Sequence, residues 1–221
     1  GKAPNLTIFQ ELLMVIGTIY AEGAYLHKIF KPLCANSFGF PVLLLVPSGK
    51  ITATFPRTVG QIPIYYNHKN TGRPFNNDGA KFKSSYLDIS NDPLYPFGYG
   101  LSYTTFGYSD VKLSKINLKG NETLTATVTV SNTGKFAGEE TVQLYVSDPV
   151  ASVSRSVKDL KGFQKILLQP GESKEVTFTI TTEQLKFFNS DLKYDWEGGE
   201  FAIHIGTNSS DVKSAKLNWI K

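Results

Sequence analysis

The sequence predicts a mainly β protein organised around an antiparallel sandwich in its C-terminal half, and three observations carry that expectation. Beyond Phe106, apolar and polar residues alternate in short runs, and turn sequences separate those runs. The single cysteine, Cys34, leaves apolar burial rather than an internal disulfide to hold the fold. At 221 residues with 41% hydrophobic content, the chain is long enough to bury a sizeable core.

The clearest strand places Leu124, Ala126, Val128 and Val130 on one face and Thr123, Thr125, Thr127 and Thr129 on the other, the two-residue period of a half-buried strand. The same alternation recurs at Val142-Leu144-Val146, Val176-Phe178-Ile180 and Phe201-Ile203-Ile205. Asn132-Thr133-Gly134, Pro170-Gly171-Glu172 and Glu197-Gly198-Gly199 supply turns between them. With flanking strands near Val111–Leu113 and Leu217–Trp219, there are six such runs, close to the about seven of an immunoglobulin-like or fibronectin-like sandwich.

The first part of the chain reads differently. Leu6, Phe9, Leu12, Leu13 and Ile16 recur at helical spacing behind a candidate N-cap, Asn5, and Gly17 ends that helix before a short strand at Thr18–Ala21. Phe38–Val46 is a continuous apolar run suited to a strand covered on both faces. Residues 47–105 are rich in Pro, Gly, Asn and Tyr, with little periodicity, and form a long connection whose Tyr65, Tyr66, Tyr86, Tyr95, Tyr99 and Tyr103 argue for packing. The expected plan is therefore a partial α/β segment over 1–46, a linker over 47–105 and the sandwich over 106–221.

Charge and motifs narrow the chemistry. The 23 basic and 19 acidic side chains are interspersed, which argues against a nucleic-acid partner, and the apolar run is too short to span a bilayer. No signal-peptide pattern opens the chain. His27, His68 and His204 lack metal-ligand spacing. Gly98-Tyr99-Gly100 lacks the dinucleotide pattern, and no Gly-x-Ser-x-Gly elbow occurs, so no metal or cofactor is expected. The segment Tyr65–Pro74 combines rings with amide and guanidinium groups, so Tyr66, His68 and Arg73 are candidate sugar contacts. The alternative is that these residues pin the connection to its neighbours. Trp196 is open in the same way, as a core residue at a turn edge or as an exposed ring.

The segment Pro93-Leu94-Tyr95-Pro96-Phe97-Gly98-Tyr99-Gly100-Leu101-Ser102-Tyr103-Thr104 resembles the signature that leads into the last domain of glycoside hydrolase family 3. Pro47-Ser48-Gly49-Lys50, Thr54-Phe55-Pro56-Arg57 and Gly60–His68 resemble the end of that family's middle α/β sandwich domain in bacterial periplasmic-type β-glucosidases. Val142-Gln143-Leu144-Tyr145-Val146 and Leu160-Lys161-Gly162-Phe163 resemble its fibronectin type III-like domain. Residues 1–30 resemble an earlier piece of the middle domain, and residues 31–45 match no part of it.

The resemblance implies a C-terminal portion of a β-glucosidase, an enzyme class that hydrolyses terminal β-D-glucosyl residues with a carboxylate nucleophile and an acid/base. In the family both groups lie in the barrel and middle-domain regions that have no counterpart here, so no catalytic residue is assigned and the chain is expected to be inactive alone. Its expected partners are the remaining domains of such a glycosidase or a second copy of itself, with a β-glucoside or oligosaccharide as the ligand of the whole. The compartment implied is periplasmic or extracellular. The competing expectation is a stand-alone carbohydrate- or protein-binding module. On either reading residues 106–221 should fold alone, with 1–105 protease-sensitive unless paired.

Overall fold

Alternation decides the architecture, because each strand must present its apolar side to a common core. The computed structural model describes residues 47–70 and 85–221. The expected helix over 6–16, the strand at 18–21, the apolar run 38–46 and Arg73 lie outside the described residues. The strands are β1 (Phe106–Tyr108), β2 (Lys112–Leu113), β3 (Asn117–Lys119), β4 (Leu124–Asn132), β5 (Gly138–Ser147), β6 (Asp159–Leu168), β7 (Ser173–Ile180), β8 (Phe187–Phe188), β9 (Tyr194–Asp195), β10 (Gly199–Gly206) and β11 (Val212–Ile220).

In one sheet β4 is central, with β7 antiparallel along it and the short β1 and β2 also paired to it. The other sheet runs β3-β11-β10-β5-β6, antiparallel except where β3 joins β11. The core between them takes Leu124, Ala126, Val128 and Val130 from β4 and Val176, Phe178 and Ile180 from β7. The facing sheet contributes Val142, Leu144 and Val146 from β5, Phe201, Ile203 and Ile205 from β10, and Leu217 and Trp219 from β11. Each such side chain contributes roughly 1.5–3 kcal/mol by leaving water. Trp196 is a core residue, its ring 6.0 Å from that of Trp219 in an edge-on contact. The mainly β sandwich expected from the sequence is the architecture observed.

One long strand escapes the sequence reading. β6 lies at the rim of its sheet, and only Ile166 and Leu168 turn inward while Phe163 and Leu167 stay 67% and 55% exposed. An edge strand half outside the core has no reason to alternate, and its register also shifts beside Leu144 and Tyr145.

Residues 47–70 and 85–105 form an arm that is irregular but held. Residues 51–55 lie antiparallel to 94–99, with Ile51 N–H donating to Tyr99 O at 2.8 Å, Gly98 N–H to Ile51 O at 2.8 Å and Phe55 N–H to Tyr95 O at 2.9 Å. Gln61, also buried, accepts from Arg57 N–H at 2.5 Å and donates to Ser90 O at 2.8 Å. Val46–Lys221 form one compact unit, so arm and sandwich pack together.

Candidate functional site

The richest polar chemistry among the described residues lies where the arm meets the sandwich, and register explains why. On β4 the inward series Leu124, Ala126, Val128, Val130 ends at Asn132; on β5 the inward series Val146, Leu144, Val142 ends at Glu140. Two polar side chains thus face inward at one end of the sandwich, and burial demands partners for both. Asn132 Oδ1 accepts from Thr104 Oγ1 at 2.5 Å and Gly134 N–H at 3.0 Å, and its Nδ2 donates to Phe136 O at 2.8 Å and Leu168 O at 3.0 Å. All four of its hydrogen-bonding positions are used.

Glu140 is 3% exposed. Lys50 Nζ, from the arm, donates to its two carboxylate oxygens at 3.3 and 3.2 Å and to Thr207 Oγ1 at 3.0 Å. Tyr108 Oη donates to Glu140 Oε1 at 2.8 Å. Burial first, and then the Glu140 charge, push the Tyr108 phenol far above its ordinary range, which keeps it a donor. Both oxygens of Glu140 are occupied inside the molecule, so this carboxylate is placed to hold structure and not to meet a sugar.

The outward face of β5 is covered as well. Gln143 and Tyr145 point away from the core, yet both are buried, because the arm lies over them. Gln143 Nε2 donates to Gly98 O at 3.0 Å and Thr207 O at 2.7 Å, and its Oε1 accepts from Tyr145 Oη at 2.5 Å. Gly98 has φ +78°, and a Cβ there would sit 2.0 Å from Gln143 Oε1, so glycine is required on both counts. Phe97 stacks on Tyr66 with centroids 4.2 Å apart, and Tyr66 meets Tyr145 edge-on at 5.8 Å.

Of the three candidate sugar contacts, Tyr66 is half-buried, its ring shared between Phe97 and Tyr145 and its Oη accepting from Leu160 N–H at 3.3 Å. Burial raises its phenol pKa. His68 is exposed, and its carbonyl accepts from Val157 N–H at 2.9 Å. Arg73 is outside the described residues. Among the linker tyrosines, Tyr95 and Tyr99 pack with centroids 5.0 Å apart, whereas Tyr65, Tyr86 and Tyr103 are largely exposed. Sequence reasoning did not single out Glu140, Asn132, Gln143 or Lys50. For Asn132 and Glu140 the available signal was a polar residue at an inward register position of a strand; Gln143, on the outer face of β5, and Lys50, on the arm, carried none.

His204 illustrates why proximity of Ser and His is not catalysis. Ser147 Oγ donates to Val157 O at 2.5 Å, so His204 Nε2–H is the donor to Ser147 Oγ at 2.8 Å, and Nδ1 accepts from Ser214 Oγ at 2.7 Å. The imidazole donates a hydrogen bond to Ser147 rather than accepting one, the reverse of what nucleophile activation needs. Burial, then Lys158 nearby, push its pKa down to about 4. No group of three or more His, Cys, Asp or Glu able to hold a metal occurs among the described residues.

The comparisons with known proteins bear directly on this seam. A family description, fibronectin type III-like domain, matches residues 140–209. The periplasmic β-glucosidase of Salmonella typhimurium is 55% identical over 172 residues, 77% of this chain and 22% of that protein. A thermostable β-glucosidase B of Acetivibrio thermocellus is 43% identical over 184 residues, 78% of this chain and 24% of that protein. The crystal structure of a β-glucosidase from Listeria innocua in complex with isofagomine superposes with a TM-score of 0.73 at 45% identity, over 79% of this chain and 24% of its own.

The chain is a homologue of part of the β-glucosidases, and its sandwich is a fibronectin type III-like domain. The family 3 resemblance read from the sequence is thereby shown. The chain spans about a fifth to a quarter of the length of the relatives it matches. In this fibronectin type III-like domain the family signature gains a physical account: Phe97 supplies a stacked ring, Gly98 the close approach to Gln143, and Lys50 the cation for Glu140. No helix of the described residues is long and apolar enough to cross a membrane.

Proposed function

We propose that the chain is a non-catalytic structural part of a β-glucosidase-type glycoside hydrolase, in which the fibronectin type III-like sandwich anchors the arm of residues 47–70 and 85–105 for the rest of the enzyme. The observation that carries this reading is the seam itself. The arm sets Lys50 and Gly98 on the sandwich, at Glu140 and Gln143, and stacks Phe97 on Tyr66, which meets Tyr145, while Glu140, the most deeply buried carboxylate there, is held by Lys50 and Tyr108. A stand-alone binding module leaves so elaborate an attachment unexplained. The partner is the remainder of a glycosidase acting on terminal β-D-glucosyl residues, and the compartment is periplasmic or extracellular, as the name of the Salmonella relative supports.

The outward arm surface fits that assignment, since Val59, Ile62 and Leu87 are 84%, 62% and 102% exposed and form apolar ground for a neighbouring domain. His68, also exposed, is the residue we carry forward as a contact to bound β-glucoside or oligosaccharide in the assembled enzyme. The test is hydrolysis of an aryl β-glucoside. The purified chain should give no turnover above a mock preparation, and residues 46–221 exchanged into the Salmonella enzyme should preserve its activity. Turnover by the chain alone, or an inactive but folded chimera, overturns the proposal. In the active chimera, His68→Ala should raise KM by about threefold with kcat little changed.

A further inference from the structure

The far end of the arm is attached in a manner unlike the rest. Residues 66–70 run beside the loop of residues 148–158, which joins β5 to β6. Val157 N–H donates to His68 O at 2.9 Å, Asn70 N–H to Arg155 O at 2.9 Å, and Ser154 Oγ to Asn70 O at 2.8 Å. Lys69 and Ser156 form an antiparallel bridge. Residues 67–70 are exposed, so these bonds compete with water, and no apolar residue of that stretch enters the core.

What shapes the loop is Arg155. Its backbone carbonyl holds Asn70, while its guanidinium reaches the two ends of the loop, with Nε 3.9 Å from Asp148 Oδ2 and Nη2 3.8 Å from Asp159 Oδ2. The same group lies 4.0 Å from the centroid of Phe187, and the side chain is 12% exposed. Ser152 adds a tie to Glu197 through its N–H at 2.8 Å and its hydroxyl at 2.5 Å. One planar cation thus draws Asp148 and Asp159 together over an aromatic face, and the backbone of the same residue presents the acceptor for the arm.

We propose that Arg155 is the positioning residue of a latch: by folding the 148–158 loop around its guanidinium it holds residues 67–70 against the sandwich, and that segment opens as a unit while Tyr66 and the contacts of Lys50 and Gly98 stay closed. The latch is a property of this chain and does not depend on the identity of the enzyme the arm serves.

Residue-resolved amide exchange on the full chain tests it. Arg155→Ala should accelerate exchange at Asn70 and Val157 by about tenfold or more, with Ile51 and Gly98 unchanged. Arg155→Lys, which keeps the charge and loses the fork, should show the same local pattern at about threefold, and it carries the comparison alone if the alanine variant does not fold. Equal acceleration at Ile51 and Gly98 would mean that Arg155 supports the fold as a whole, and no acceleration at Asn70 and Val157 would mean that it does not hold the arm; either result overturns the proposal.

Discussion

Lys50 pairs with a buried carboxylate and Arg155 with two half-buried ones, at different ranges and with different company. Lys50 approaches Glu140 to 3.2 Å inside a shell completed by Tyr108 and Thr207, and the arm backbone around it is pinned again at Gly98. Arg155 stands 3.8 and 3.9 Å from its two aspartates, leans on Phe187, and passes its effect to the exposed Asn70 through one backbone acceptor. The first arrangement is a fully satisfied network, in which removing one member strands the others in a dry site. The second is a charge cluster near water, which tolerates adjustment. The molecule thus binds its arm twice, once rigidly and once reversibly.

Glu140→Ala attacks the rigid attachment where it is least forgiving. It leaves Lys50 and Tyr108 without their common acceptor and should lower unfolding free energy by about 3–5 kcal/mol in urea titration. A loss under about 1 kcal/mol would mean that the pair is solvated and the contrast with Arg155 is false. Gly98→Ala combines a positive φ with a clash against Gln143 and should cost about 2–4 kcal/mol by the same measurement, with near-ultraviolet dichroism reporting altered packing of Tyr66 and Tyr145.

Acid sharpens the comparison, since two shifted groups beside the loop oppose each other. His204 is pushed from 6.5 to about 4, so the stability linked to it is present above pH 6.5 and is lost as pH falls toward 4. Asp148 is raised from 3.8 to about 6, by burial first and against the pull of Arg155, so its charged form carries a penalty above pH 6 that is relieved as pH falls toward 3.8. The two changes largely cancel between pH 7 and 5. Asp148→Asn should expose the loss, making the protein about 1–2 kcal/mol less stable at pH 5 than at pH 7, and His204→Gln should reverse that slope. Parallel pH profiles for both variants would contradict the assignment. Smallest of all, Ser154→Ala removes one exposed bond to Asn70 and should change global stability by less than about 0.5 kcal/mol while still quickening exchange at residue 70.

The sandwich was legible because its inward residues repeat every second position, and Leu124–Val130 or Phe201–Ile205 state their burial locally. The ends of those runs were legible in principle too: Asn132 and Glu140 continue the inward register, and an inward acid implies a cation. The arm was not, because its partners are remote. Gly98 meets Gln143 45 positions away and Lys50 meets Glu140 90 positions away, so neither pairing leaves a periodic trace. Tyr145 misleads for a related reason. Alternation assigns it to solvent, and only the presence of Tyr66 over it makes the outer face of β5 a second interior. β6 shows the converse, an edge strand whose inner and outer faces are too weakly distinguished for a period to emerge.

That edge has a bearing on how copies of the molecule behave in concentrated solution. Beyond Leu160, whose N–H is taken by Tyr66, β6 is an edge strand with Phe163 and Leu167 exposed, a rim on which another strand could be laid down. Lys161 and Lys165 alternate with Phe163 and Leu167 along the same strand and are paired with Asp159 at 4.0 Å and Glu139 at 2.7 Å, ion pairs that a strand laid on this edge would have to strip of water. The desolvation of those ion pairs weighs against such an addition.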